Sequence, residues 1–157
     1  LESDPENGFV MVDRGRMHNL KHGLKFRVFQ IGKGGMTRDK GDIEVRQLGE
    51  HTSMAVVLRH NPADPIVRGD RIVNQTYHPK EKKVFVLAGE FKKYTPEEMK
   101  YFIRENGGIV ETQITIDTDF LVLGTHPSPD DETRRKEALN YQIPIFSEDE
   151  LYRYIGD

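Results

Sequence analysis

VFVLAGEF (84–91), KKYTPEEMKYFIRENGG (92–108) and IVETQITIDTDFLVLGT (109–125) follow one another without interruption. The first piece opens on a continuous apolar run, Val84–Gly89, the pattern of a parallel strand buried on both faces. The second carries helix signals. Thr95 suits the cap, Pro96 the first helical position, and Glu98 completes a capping box. Met99, Phe102 and Ile103 recur at helical spacing. Asn106-Gly107-Gly108 ends the helix, because glycine accepts a left-handed backbone. The third piece reads as two strands, 109–115 and 119–125.

Working toward the C-terminus, His126–Asp131 reads as a loop and Glu132–Tyr141 as a helix with Ala138, Leu139 and Tyr141 inward. IPIF (143–146) is a fourth strand. Ser147 with Glu150 forms a second capping box, opening a helix over EDELYRYIG (148–156). The order β-α-β-β-α-β-α predicts a mostly parallel four-stranded sheet with helices on both faces.

Working back, residues 1–83 show no helical period. Leu1–Gly8 is polar and expected to fray. FVMVDR (9–14) and LKFRVFQI (24–31) read as strands, with Phe26 and Val28 on one face and Phe29 and Ile31 available to the core. GKGGMTRDKG (32–41) reads as a glycine-rich hairpin connection. DIEVRQL (42–48) alternates, with Ile43 and Val45 inward and Asp42, Glu44 and Arg46 outward. In SMAVVLR (53–59), Met54, Val56 and Leu58 are expected inward. PIVRGDRIVNQTY (65–77) suggests two short strands around Gly69-Asp70. Several strands spaced by glycine turns predict a small all-β barrel or sandwich. The expected domains are residues 9–78, a linker at 79–83, and 84–157.

The totals agree with globular material, at 36% hydrophobic and 31% charged residues. No apolar run approaches the roughly 20 residues that span a bilayer, so this segment is expected to be soluble and to make no membrane contact. The absence of cysteine excludes disulfides and thiol catalysis. The chain opens on LESDPENG rather than Met, which reads as a piece of a longer protein. Net charge is −3, against a general polyanion binder. Its distribution is uneven: residues 1–83 hold 15 basic and 11 acidic side chains, and residues 84–157 hold 8 and 15.

Several patterns invite a chemical reading. Gly32-Lys33-Gly34-Gly35 lacks the Ser or Thr and the following helix of a phosphate cradle, so it reads as a hairpin tip. His18 and His22 lack a third ligand and a helix, and read as a surface turn. Lys80–Lys83 reads as a solvated linker. Asp117, Asp119, Asp130 and Asp131 have no His or Cys nearby in sequence and read as structural. Ser128, between two prolines, reads as a loop tip open to modification. No nucleophile–base pair, metal cluster or cofactor loop emerges, so neither enzymatic activity nor a cofactor or metal is expected.

The second half resembles a BRCT domain, above all the short form at the end of bacterial NAD-dependent DNA ligases. The pieces that carry the resemblance are Ala88-Gly89, Thr95, Asn106-Gly107-Gly108, Thr115 through Thr118-Asp119, Leu121-Val122-Leu123-Gly124, Ala138, Ile143-Pro144-Ile145 and Ser147-Glu148. The last helix lacks the Trp common in eukaryotic members, leaving Leu151, Tyr152 and Tyr154 to fill its space. Residues 9–78 resemble small SH3-like barrels, accessory domains of bacterial envelope proteins. The BRCT resemblance implies an adaptor that binds proteins, phosphopeptides or DNA ends and performs no catalysis. It also implies a phosphate site where a hydroxyl residue, the following glycine and cations converge. Here Gly89 is in place, Arg134 stands where the second-helix lysine belongs, Thr133 is beside it, and Lys92 and Lys93 can supply charge. Ala88 replaces the hydroxyl residue, and Pro96 stands where some DNA-end binders carry Arg. These losses cost on the order of 2–4 kcal/mol, or roughly 30- to 1,000-fold in affinity. The expected partner is therefore a protein, with self-association open. Nucleic acid is a secondary possibility, and a cytoplasmic location goes with a DNA-linked parent.

Overall fold

A computed structural model describes residues 2–4 and 8–155. The chain divides into two compact units, one ending at Lys80 and the other spanning Glu81–Ile155. Among the described residues no helix is long and apolar enough to cross a membrane.

The first unit is a six-stranded antiparallel sheet. Its strands are β1 (Glu2–Asp4), β2 (Phe9–Val12), β3 (Lys25–Ile31), β4 (Thr37–Leu48), β5 (Ser53–His60) and β6 (Arg71–Val73), in the order β1-β2-β5-β4-β3-β6. The sheet is an open half-barrel among the described residues, with β1 and β6 at its edges, where the sequence reading expects a small barrel or sandwich. The expectation that residues 1–8 fray is corrected for Glu2–Asp4, whose backbone pairs with β2. Leu1, Pro5, Glu6 and Asn7 lie outside the described residues. Val10, Val12, Phe26, Val28, Ile43 and Val45 alternate into the core, all at most 2% exposed. Phe29 is half-buried and Ile31 exposed, on the other side of β3.

Two expectations about side-chain direction fail, and both fail at bulges. Along β5, Ala55 is fully buried while Leu58 is 49% exposed, with Met54 and Val56 between. Val56 pairs with Phe9 on one side and Glu44 on the other, and the register slips between Asp42 and Ile43. Along β4, Val28 pairs with Gly41 and Phe29 with Asp39, leaving Lys40 as the extra residue of a bulge. A bulge re-aims the side chain it carries. Lys40 is accordingly turned inward at 2% exposure, and Glu44, expected outward, is also buried. Gly41 has φ 152°, and a Cβ there would collide with the Arg59 carbonyl. The Lys40 ammonium lies 2.8 Å from Asp70 Oδ2 and 3.5 Å from Asp64 Oδ1. Asp70 Oδ2 also accepts the Val67 N–H at 2.8 Å. That turn explains why residues 65–77 hold one strand, β6, rather than two. The hairpin connection is shorter than expected, since Thr37–Gly41 already belong to β4.

The second unit runs β7 (Val84–Ala88), α1 (Pro96–Glu105), β8 (Ile109–Glu111), β9 (Phe120–Leu123), α2 (Pro129–Asn140), β10 (Ile145–Phe146) and α3 (Glu148–Leu151). The sheet order is β10-β9-β7-β8, with every pair parallel. Thr95 and Glu98 form the expected capping box. A Cβ on Gly108 would lie 2.6 Å from Ile103 Cγ2, so the helix stop also lets the chain pass close to α1. Phe85, Phe120, Phe146 and Tyr154 stack in succession, with ring centroids 4.8–5.4 Å apart. Leu151 is fully buried, and Tyr152 meets the Phe102 ring edge-on at 5.7 Å.

Local boundaries differ from the sequence reading. β8 ends at Glu111, because Thr115 and Thr118 close a turn in which the Thr118 hydroxyl accepts the Thr115 N–H. α2 begins at Pro129, not Glu132, because Ser128 and Asp131 form a capping box. Ser128 is thus a helix cap rather than a loop tip. α3 stops at Leu151; Gly156 lies outside the described residues. Leu139 on α2 and Tyr141 at its C-cap are 60% and 53% exposed, and Ala138 is the one buried residue of α2, against Val86, Ala88, Ile114, Leu121 and Ile143. Ala138→Leu should therefore overpack this cluster and lower stability by about 1–3 kcal/mol, read as a lower urea midpoint with unchanged slope.

Candidate anion-binding site

β7 delivers Ala88-Gly89 to the C-terminal end of the parallel sheet, where loops of open α/β sheets bind ligands. Gly89 has φ +78°, and a Cβ there would lie 2.8 Å from the Thr125 carbonyl oxygen. Both features demand glycine. The neighbouring backbone is tied down, since Glu90 and Thr125 exchange N–H···O bonds of 2.7 and 2.8 Å.

The N-terminal turn of α2 faces this loop. The Asp131 carboxylate accepts the Ser128 N–H at 2.9 Å and the Arg134 guanidinium at 2.8 Å. The Gly89 backbone lies near enough to the same carboxylate to help hold its pKa down. Burial alone would raise the Asp131 pKa, but the hydrogen bonds from Ser128, Gly89 and Arg134 together hold it below the ordinary value. Arg134 also donates through Nε to the Thr112 carbonyl at 3.0 Å. Gly89 and Arg134, singled out in the sequence, do meet, and the anion between them is the chain's own Asp131.

Lys92 and Lys93 belong to a separate arrangement. Their backbone N–H groups donate to Glu148 at 2.6 and 2.9 Å, and the Tyr152 hydroxyl donates to it at 2.9 Å. Glu148 is only 7% exposed. Burial opposes its ionisation, but the bonds from Lys92, Lys93 and Tyr152 hold its pKa below the usual carboxylate range. Burial first, and the Glu148 carboxylate second, push the Tyr152 hydroxyl well above its ordinary value. The Lys93 ammonium lies over the rings of Tyr94 and Tyr152, at 5.7 and 5.5 Å. Lys92 is exposed. Thr133 is exposed, and its hydroxyl donates to the Pro129 carbonyl at 3.1 Å.

The β7–α1 loop is therefore held by the Glu148 carboxylate at the start of α3, while the Asp131 carboxylate near the start of α2 ties up Arg134. The Ser128–Asp131 spacing is a sequence signal for Asp131. Nothing local announces the role of Glu148, which lies 55 residues from Lys93. Asp119 has a structural task, accepting the Val84 N–H at 2.7 Å.

A family model described as the BRCA1 C Terminus (BRCT) domain matches residues 75–155. A DNA ligase of Flavobacterium johnsoniae is 40% identical over 75 residues, covering 48% of this chain and 11% of that protein. DNA ligases of Chlamydia caviae and Thermosipho africanus are 36% and 34% identical over 73 residues, each covering 46% of this chain and 10% of the ligase. The chain thus spans about a tenth of the length of these relatives. A solved structure titled as that of a hypothetical protein aligns over 98% of this chain and 63% of its own, at 11% identity and a TM-score of 0.24, too low to inform the fold.

Proposed function

This chain belongs to the BRCT family, and from that premise we propose that it is a non-catalytic interaction module contacting a protein partner through residues 84–157. In this reading residues 9–78 form an accessory β domain and 79–83 a linker. The observation that carries it is Asp131, whose carboxylate takes up the Arg134 guanidinium at 2.8 Å beside Gly89. An incoming phosphate would have to compete with a ligand already attached to the chain. The second unit meanwhile exposes Tyr101, Ile116, Leu139 and Tyr141, each more than half accessible. Exposed aromatic and aliphatic groups of this kind contribute to protein interfaces.

The second reading is phosphate-dependent binding of a phosphopeptide or a DNA 5′ end, with a cytoplasmic setting if DNA is the target. It is favoured by the convergence of Gly89 and Arg134 on one anion, and by the relatives' being named DNA ligases. Titration of matched phosphorylated and unphosphorylated peptides, and of recessed DNA ends with and without a 5′ phosphate, separates the two. The protein-contact reading expects no preference for phosphate, and partner capture that survives phosphatase treatment but is lost in Leu139→Ser. A phosphate preference of about tenfold or more that disappears in Arg134→Ala would establish the second. DNA binding would then also fall steeply with salt.

A further inference from the structure

The buried charges of the first unit come together from three segments. The bulge in β4 turns Lys40 inward, the turn before β6 supplies Asp70, and the segment after β5 supplies Asp64. Backbone bonds fix this last segment: the Asp64 N–H donates to the Asn61 carbonyl at 3.0 Å, and the Asn61 N–H donates to the Lys40 carbonyl at 3.2 Å. The Lys40 and Asp70 side chains are 2% and 0% exposed, whereas Asp64 keeps 22%. An amine, a carboxyl group and a second carboxylate that still reaches solvent therefore meet at one point.

An ammonium and a carboxylate taken out of water each carry a desolvation penalty that their attraction only partly offsets. Proton transfer within the pair removes both charges and leaves an amine beside a carboxylic acid. These are the two reactants of an amide. The Lys40 nitrogen is already held 2.8 Å from Asp70 Oδ2. Holding reactants in place in this way is equivalent to effective molarities on the order of 10⁵ M or more.

The two oxygens of Asp70 have different surroundings. Oδ2 accepts the Val67 N–H at 2.8 Å, a backbone donor of the kind that stabilises a developing oxyanion. Oδ1 accepts no hydrogen bond among the described residues. Asp64 Oδ1 lies 3.5 Å from the Lys40 nitrogen, on the side from which a carboxylate can take a proton as that nitrogen forms a new bond. Arg38 pairs with Asp64 and holds it in place.

We propose that the Lys40 and Asp70 side chains condense to an intramolecular amide, an isopeptide bond, once the first unit has folded. Lys40 Nζ attacks Asp70 Cγ, negative charge passes to Oδ2 under the Val67 N–H, and the bond from Cγ to Oδ1 then breaks. Two protons leave the nitrogen, one within the ion pair and one carried by Asp64. Both depart with Oδ1 as one molecule of water. Nothing is oxidised or reduced, and Asp64 ends as it began. The product ties β4 to the segment entering β6, with β3 between them, and so secures an edge strand of the half-barrel. The ion pair is the state before reaction, and removal of Lys40 strands Asp70 in either state. The assignment is independent of the partner proposed for the second unit.

The test is the intact mass of the purified whole chain, measured under denaturing conditions. The wild-type protein is expected to be lighter than its sequence by one water. A proteolytic digest should contain one cross-linked species that joins the peptide bearing Lys40 to the peptide bearing Asp70. Lys40→Arg, which keeps a cation but cannot form this amide, should have the full sequence mass. Asp64→Asn alters a side chain in partial contact with solvent; it should slow the reaction by about a hundredfold or more and be recovered mainly at full mass. Circular dichroism of this variant confirms that it is folded. The wild-type mass decides the proposal whether or not a variant folds. Full mass after prolonged incubation at neutral pH overturns it, and so does a loss of water that maps to a single peptide or persists in Lys40→Arg. Equal cross-linking in wild type and Asp64→Asn would remove Asp64 from the reaction.

Discussion

Replacing Lys40 with methionine should lower the stability of the first unit by about 3–5 kcal/mol, the usual cost of removing one partner from a buried ion pair. Lys40 is 2% exposed and the Asp70 side chain is fully enclosed, so the substitution strands a carboxylate that water cannot reach. Asp64, which also lies within reach of Lys40, keeps its contact with Arg38 and suffers less. The penalty belongs to the orphaned charge rather than to the lost attraction. Combining Lys40→Met with Asp70→Asn should therefore recover part of the loss, because the amide still accepts from the Val67 N–H. A coupling of about 0.5–3 kcal/mol is expected between the two sites. Hydrogen exchange at the slowest amides of β3 and β4 reports on this unit alone. A loss below about 1 kcal/mol in Lys40→Met would show that solvent reaches Asp70 and that the pair is not a structural anchor.

Glu148→Ala should cost the second unit about 2–4 kcal/mol, since it leaves the N–H groups of Lys92 and Lys93 and the Tyr152 hydroxyl without their common acceptor. Glu148→Gln keeps one acceptor oxygen and should cost less. The same contacts make the unit sensitive to acid. The folded pKa of Glu148 is depressed, so its contribution is fully present above the unfolded value of 4.5 and is lost as pH falls through the folded value. Asp131 acts in the same direction, from an unfolded value of 3.8 downward. Thermal melts at stepped pH from neutral to about 3 should show the wild-type protein losing stability below roughly 4.5. Glu148→Gln should follow a shallower slope. Parallel slopes would mean that Glu148 does not hold the β7–α1 loop in solution.

Much of the second unit was legible because its signals are local. The run Val84–Ala88, the box at Thr95 and Glu98 and the stop at Asn106-Gly107-Gly108 each act within a few residues, and all appear in the structure. Where local reading failed there, a local signal was misweighted. Ser128 between two prolines reads as a loop tip, yet proline is tolerated at the first helical position, and Ser128 caps α2 from between Pro127 and Pro129. In the first unit the strand segments were readable, but their faces were less so. Residues 54–58 are apolar at every position, so alternation cannot say which set points inward.

The candidate site divides in the same way. Gly89 and Arg134 were visible as residues of the right type in the right order. That the Arg134 guanidinium would be spent on Asp131, next to Gly89, depends on how α2 comes to rest against the end of β7.

The order of elements, the parallel sheet of the second unit and the family are written in the chain itself, because apolar periodicity, caps and glycine stops act over a few residues. Only the tertiary structure decided that β4 bulges at Lys40, that β5 buries Ala55, and that Glu148 grips a loop 55 residues away. Strand register and buried charge pairing join segments far apart in sequence, and no local pattern records which partners will meet.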